Sequence, residues 1–286
     1  MFTAKIENFN GDVLTLTGKE PIYQIISIIG LNPPKAQINT TKIAGMDGAT
    51  FNSSKLGMRN VVLTVKINGD VETNRLNLYS YFQTKSWCKF YYSNDTLDVF
   101  IEGYVESVEC DLFSAREMAQ ISILCPYPYF QSIAENTASS SSVIGGFVFP
   151  FSINVNEPIP ISEISPQGAI QVYNSAESET GTIIEINFRM NASSVELLNT
   201  RTGETFELDY AFLQNDKVIV NTRKGAKSIT LVRNGVVSNL FSALKKGSAF
   251  FQLSPAINII DYSVDGQIES GAVFIVFKFH NAYRGV

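Results

Sequence analysis

The sequence predicts a mainly β protein in two parts. The first half mixes strands with one α-helix and an extended arm, and the second forms a β-sandwich or jelly roll. Three observations predict this. The 20 Phe and 12 Tyr, with many Ile and Val, bias the chain toward strands. A single stretch, after Asp70, carries apolar residues at helical spacing. From residue 181 onward, short apolar segments alternate with turn residues.

Residues 21–30 (PIYQIISIIG) are β-branched and bounded by Pro and Gly, so they form a strand. Residues 31–60 contain Pro33, Pro34 and the turn pair Asp47-Gly48. So long an irregular stretch inside a domain signals function or an interface, and it reads as an arm or hairpin. In residues 61–70, Val61, Leu63, Val65 and Ile67 share one strand face. Asp70 then caps a helix over 71–84, with Glu72 in its first turn and Leu76, Tyr79 and Phe82 on its apolar face. Residues 87–92 and 97–110 form a hairpin around Ser93-Asn94-Asp95, and 119–125 is a strand halted by CPYPYF.

The domain boundaries follow. Residues 1–130 are the first domain, 131–170 a linker leading into the sandwich, and 171–286 the sandwich. The linker is rich in Ser, Gly and Pro, including Pro150, Pro158, Pro160 and Pro166. The expected sandwich strands are GTIIEINF, SVELLN, ETFELDY, KVIVNT, SITLVRN, AFFQL, INIIDYS and AVFIVFKF.

Charge and chemistry exclude several function classes. Net charge is −5, and no Lys or Arg lies between Glu117 and Arg189, so electrostatic capture of nucleic acid is not expected. Cys88, Cys110 and Cys125 are dispersed and read as buried free thiols. No apolar run reaches membrane-spanning length, and the opening residues lack a signal-peptide core. The single histidine, His280, stands at a strand end, and no nucleophile, phosphate-loop or zinc motif is present. No catalytic residue, cofactor or metal is therefore expected. Asp98, Glu102, Glu106, Glu109 and Asp111 form an acidic segment in which Glu102, Tyr104 and Glu106 share a face. The lone Trp87 reads as core.

The ordered features of the first half resemble the N-terminal domain of siphophage distal tail (Dit) proteins. They are the Ile-rich strand with Gly30-Leu31 and Pro33-Pro34; Asp47-Gly48 with Phe51; and Arg59 leading into VVLTVKINGD. Next come Arg75 with Leu78-Tyr79 and Phe82; Gly103-Tyr104-Val105-Glu106; Phe113-Ser114; and Gln120-Ile121-Ser122-Ile123 running into Cys125-Pro126-Tyr127-Pro128-Tyr129-Phe130. The second half resembles that family's galectin-like sandwich through Gly181–Ile186, Asn199–Glu204, Leu253-Ser254-Pro255 with Asn258, and Tyr283–Val286.

The resemblance implies a tail-tube-like β-sandwich that closes a homohexameric ring, and a galectin-like jelly roll that projects outward. It implies a structural protein of the virion tail tip or baseplate, assembled in the host cytoplasm, that contacts the tail tube protein and the hub or tip protein. A receptor-binding protein could attach through the C-terminal domain, and DNA would pass through without specific binding. A phage-tail-like bacteriocin would use the same fold. Pro33, Pro34, Asp47, Gly48, Phe51, Arg59 and Arg75 become candidates for an inter-subunit arm, and Glu102 and Glu106 for the channel wall. The alternatives are a carbohydrate-binding adhesin or accessory module, weakened by the absence of Trp from the second half, and a hydrolase built on Glu102 and Glu106.

Overall fold

In the computed structural model, residues 2–17, 19–111, 117–145, 162–166, 169–266 and 271–286 are described. Phe113-Ser114 and Pro150, Pro158 and Pro160 lie outside them. The chain divides into two units, Met1–Ala134 with Ala282–Val286, and Glu135–Asn281.

The first unit is made by β1 (Thr3–Asn8), β2 (Val13–Leu16), β3 (Tyr23–Ile29), β4 (Ala36–Thr41), β5 (Thr50–Leu56), β6 (Arg59–Ile67), α1 (Val71–Tyr81), β7 (Trp87–Ser93), β8 (Asp98–Cys110), β9 (Met118–Cys125) and β10 (Phe130–Ser132). Seven strands of a nine-stranded antiparallel sheet run in the order β2-β1-β7-β8-β9-β6-β3. Its two edges meet at a single parallel bridge, Thr17–Gln24, so the sheet curls round on itself. Alternation decides what fills the interior. Val61, Leu63, Val65 and Ile67 all point inward, joined by Ile6, Phe90, Ile101, Ile121 and Ile123. Bulges at Ile26 and Glu106, each left unpaired by a one-residue register shift, bend β3 and β8.

Asp70 caps α1 as expected, its carboxylate accepting from the Thr73 hydroxyl at 2.8 Å. The helix ends at Tyr81, and its buried face is carried by Leu78 and Phe82. Leu76 lies about 200° from Leu78 around the helix and stays 57% exposed, contrary to the expected face. Trp87 is likewise not core: Cys88 and Phe90 take the inward positions of β7, and Trp87 is half-buried opposite Tyr104. Cys88 and Cys125 are buried free thiols, each pushed up to about 12 by desolvation.

The second unit holds β11 (Asn136–Ser139), β12 (Ser141–Gly145), β13 (Ser162–Pro166), β14 (Ala169–Asn174), β15 (Ile183–Phe188), β16 (Ala192–Asn199), β17 (Glu204–Phe212), β18 (Lys217–Asn221), β19 (Ser228–Arg233), β20 (Val236–Asn239), β21 (Ala256–Val264) and β22 (Val273–Phe279). A six-stranded sheet, β11-β22-β15-β18-β19-β20, and a four-stranded sheet, β14-β21-β16-β17, enclose one core. Phe188 of the first stacks on Phe212 of the second at 4.2 Å between centroids. Within residues 131–170, β11 joins the larger sheet and β12 pairs with β13. Residues 249–253, expected as a strand, run irregularly with one bridge, Thr180–Leu253. The Gln252 side chain donates to Thr222 O and Phe250 O there, while Phe251 and Leu253 are buried.

The chain then returns to the first unit. β23 (Ala282–Tyr283) pairs with β10, and β10 pairs with the start of β8. The second unit is therefore an insertion, and residues 282–286 belong to the first unit rather than to the sandwich.

Candidate assembly site: the arm and its root

The 31–60 stretch forms a two-stranded sheet of its own, β4 paired with β5. Every residue of the two strands is exposed except half-buried Leu56. Asn39 Nδ2 donates to Ser53 Oγ at 3.0 Å and Asn52 Nδ2 to Thr41 Oγ1 at 2.6 Å, tying strand to strand. Asp47 and Gly48 lie in the connecting turn, where Gly48 has φ +88°. Ile38, Ile43, Met46 and Phe51 stand in solvent, Phe51 at 62%. An isolated two-stranded hairpin is marginal in water, and exposed apolar side chains on it mark an interaction surface.

At the root of this arm the structure places Arg59, which is 3% exposed. Its Nε donates to Pro128 O at 2.8 Å and Nη1 to Asn32 O at 2.8 Å. Nη1 also donates to Gly30 O, and Nη2 to Arg284 O. The guanidinium lies 4.7 Å from the centroid of the Phe130 ring. Desolvation lowers the Arg59 pKa, and four carbonyl dipoles hold the charge in place of a carboxylate. One side chain thus joins the arm root, the exit toward the second unit and the return from it.

Two glycines make this junction possible. Gly30 has φ +95°, and a Cβ there would stand 2.2 Å from Asn60 O. At Gly285 a Cβ would stand 2.8 Å from Pro33 Cδ, so the return segment lies directly on the arm root. Val286 N–H donates to Leu31 O at 3.1 Å. Pro33 is thus part of the packed root, beside Pro34.

The other candidates lie elsewhere. Arg75 pairs with Glu72 on its own helix at 2.5 Å and lies 6.0 Å from the Tyr79 ring centroid. Glu102, Tyr104 and Glu106 share the exposed face of β8. Glu102 faces Lys89 at 3.9 Å, and Lys89 sits 3.8 Å from the Phe100 centroid. Glu106 accepts from the Ser122 hydroxyl at 2.8 Å. Sequence reasoning missed Phe130 and Arg284 as partners of Arg59, and Gly285 as the residue packed on Pro33; Arg284 lies 225 residues away, beyond the reach of any local pattern. Among the described residues, no group of three His, Cys, Asp or Glu could hold a metal ion.

Comparisons with known proteins bear on both units. The profile of the phage tail protein RIFT-related domain matches residues 10–124. That of the siphovirus-type tail component, C-terminal domain, matches residues 175–281. The fold is similar to that of the Dit protein (gp 19.1) of phage SPP1, with a TM-score of 0.67 and 15% identity, over 97% of this chain and 98% of that one. It is also similar to a chain of the phage P2 baseplate in its activated, calcium-bound conformation, with a TM-score of 0.52 and 12% identity, over the whole of both chains. No curated protein sequence matches. With a family profile on each unit, the two together spanning most of the chain, the chain belongs to the Dit family of siphovirus tail components, and its role is structural, in the tail of the virion.

Proposed function

We propose that six copies close head to tail through their first units into a ring that joins the tail tube to the baseplate hub, with DNA passing through the centre. The observation that carries this is the β4–β5 arm. It is fully formed and exposes Ile38, Ile43, Met46 and Phe51, with no core among the described residues covering them. Such a hairpin gains its stability by packing on another subunit. One arm per copy gives a heterologous interface, which closes a ring when the rotation between copies is right.

In this reading the protein assembles in the host cytoplasm, contacts the tail tube protein on one ring face and the hub or tip protein on the other, and catalyses nothing. The sandwich is a docking module for a receptor-binding protein. The exposed face of β8 lines the bore, where carboxylates repel passing phosphates. Glu106 is the stronger candidate, because Lys89 offsets the charge of Glu102.

Native mass spectrometry and light scattering, with and without the tail tube protein, test the ring. Six-copy species are expected. A chain that stays monomeric at high concentration, alone and with the tube protein, sinks the proposal.

A further inference from the structure

Two sheet edges of the second unit are finished differently. β17 ends the four-stranded sheet, and residues 244–249 run along its outer side. Lys245 N–H donates to Glu207 O at 3.0 Å, Ala249 N–H donates to Thr205 O at 2.8 Å, and Leu208 bridges Leu244. β20 ends the six-stranded sheet, and among the described residues no strand pairs with its outer side.

The ladder fixes which groups that edge offers. Leu240 N–H donates to Ile229 O at 2.9 Å. Bonded positions alternate in an antiparallel pair, so Ser238 and Val236 also turn toward β19, opposite Leu231 and Arg233. The backbone groups of Val237 and Asn239 therefore point outward, one N–H and one C=O from each.

Open edges are usually guarded by a charge, a proline or a bulge. Val236–Asn239 carries none of these, and its register with β19 is unbroken. Instead, Val236 and Val237 are both exposed. Just past the strand, the exposed ring of Phe241 stacks on Phe250 with centroids 5.7 Å apart. Lys227 Nζ lies 5.2 Å from the Phe250 centroid at the same corner. Unpaired backbone beside apolar side chains fits an extended peptide, which supplies ladder bonds and apolar contacts together.

Charge gives that peptide its sign. The chain is acidic overall, at −5, yet residues 217–248 hold seven of its 22 Lys and Arg and no Asp or Glu. Four of them are paired: Lys217 with Glu185, Lys224 with Glu179, Arg233 with Asp216 and Lys245 with Glu207. Among the described residues, Arg223, Lys227 and Lys246 form no ion pair. A second copy of β20 would bring no carboxylate to meet them, so pairing of this edge with itself is opposed.

We propose that the free edge of β20 binds an extended acidic segment of a partner protein as a seventh strand of the sheet. The segment pairs its backbone with Val237 and Asn239. Its apolar side chains cover Val236, Val237 and Phe241, and its carboxylates meet Lys227. The inference rests on the reading of the sandwich as a docking module and gives that module its ligand chemistry; it is independent of the ring.

The probe is a blocked peptide of alternating Val and Thr ending in two Glu, with a counterpart ending in two Lys. With the full chain, the acidic peptide should bind in a salt-sensitive manner and slow hydrogen exchange at the Val237 and Asn239 amides. Val237→Pro removes an outward N–H that takes no part in the ladder with β19, and should weaken binding on the order of tenfold. Lys227→Glu, at an exposed position, should weaken it about threefold and turn the preference toward the Lys-ended peptide, a reversal that misfolding would not produce. No binding at millimolar peptide, or binding indifferent to both substitutions, overturns the edge site. So does dimerisation of the chain through β20. A receptor-binding protein of the same virion that binds the wild-type and Val237→Pro chains alike overturns the edge and leaves docking standing. A chain that binds neither that protein nor the peptide ends the docking reading as well.

Discussion

In the second unit, buried and half-buried carboxylates find cationic partners inside the unit. Asp216 is buried beneath a turn, where it accepts from Arg233 Nε at 2.8 Å, Arg233 Nη2 at 2.6 Å and Leu213 N–H at 2.8 Å. Glu185 is shared by Lys217 at 2.9 Å and Lys278 at 2.8 Å. Two sheets close over one core. In the first unit a single sheet curls round its core, a complete hairpin stands in solvent with its apolar residues uncovered, and a buried cation is held by carbonyls from three separate segments. The comparison teaches that the sandwich closes its core between two sheets and pairs its carboxylates within itself, whereas the first unit extends a hairpin that neither of its own faces packs against a core.

The largest test of that contrast removes the arm. Replacing residues 36–56 with a short turn should abolish self-association while leaving the hydrogen exchange of both cores unchanged, because the arm contributes no side chain to either. Loss of core protection would break the comparison. Next, Arg59→Ala should destabilise the first unit by about 3 kcal/mol or more, since four buried carbonyls lose their donor, with the second unit unaffected. Hydrogen exchange resolved by unit, with denaturant, measures both. Gly30→Ala should cost about 2 kcal/mol or more through the left-handed backbone and the clash with Asn60 O, and limited proteolysis at the arm root should accelerate.

The second unit offers the sharper pH test. Hydrogen bonds from Arg233, opposed by burial and aided by Leu213 N–H, hold the Asp216 carboxyl below its ordinary value of 3.8. Its stabilisation is therefore present above about pH 4 and is lost as pH falls through the folded value. Asp216→Asn should remove about 2 kcal/mol at neutral pH and flatten the acid limb of the unfolding curve of the second unit. The smallest effect is expected from Asp70→Ala, about 1 kcal/mol from the lost helix cap, seen by chemical denaturation of the first unit.

Much of the fold was legible because burial follows alternation. Val61, Leu63, Val65 and Ile67, and the strands of the sandwich, point where their period says. The arm was legible only as an anomaly, a long stretch with two prolines. Its strands have no apolar period because neither face meets a core. Leu76 misled because it is apolar yet lies on the side of the helix turned away from Leu78 and the core. AFFQL misled because a run of apolar residues reports burial without reporting a ladder. The root junction was hidden by distance: Arg59 reads as an ordinary charge until Gly30, Pro128, Phe130 and Arg284 are brought round it.

The closure of that junction by Arg284 also has a consequence in time. A ribosome delivers Arg59, Gly30 and the whole arm early, but the carbonyl of Arg284 and the backbone of Gly285 arrive only after the inserted unit has been made. Until then the guanidinium lacks one of its four acceptors and Pro33 lacks its packing surface. A nascent chain accordingly completes the packing of its arm root only after the inserted unit has emerged.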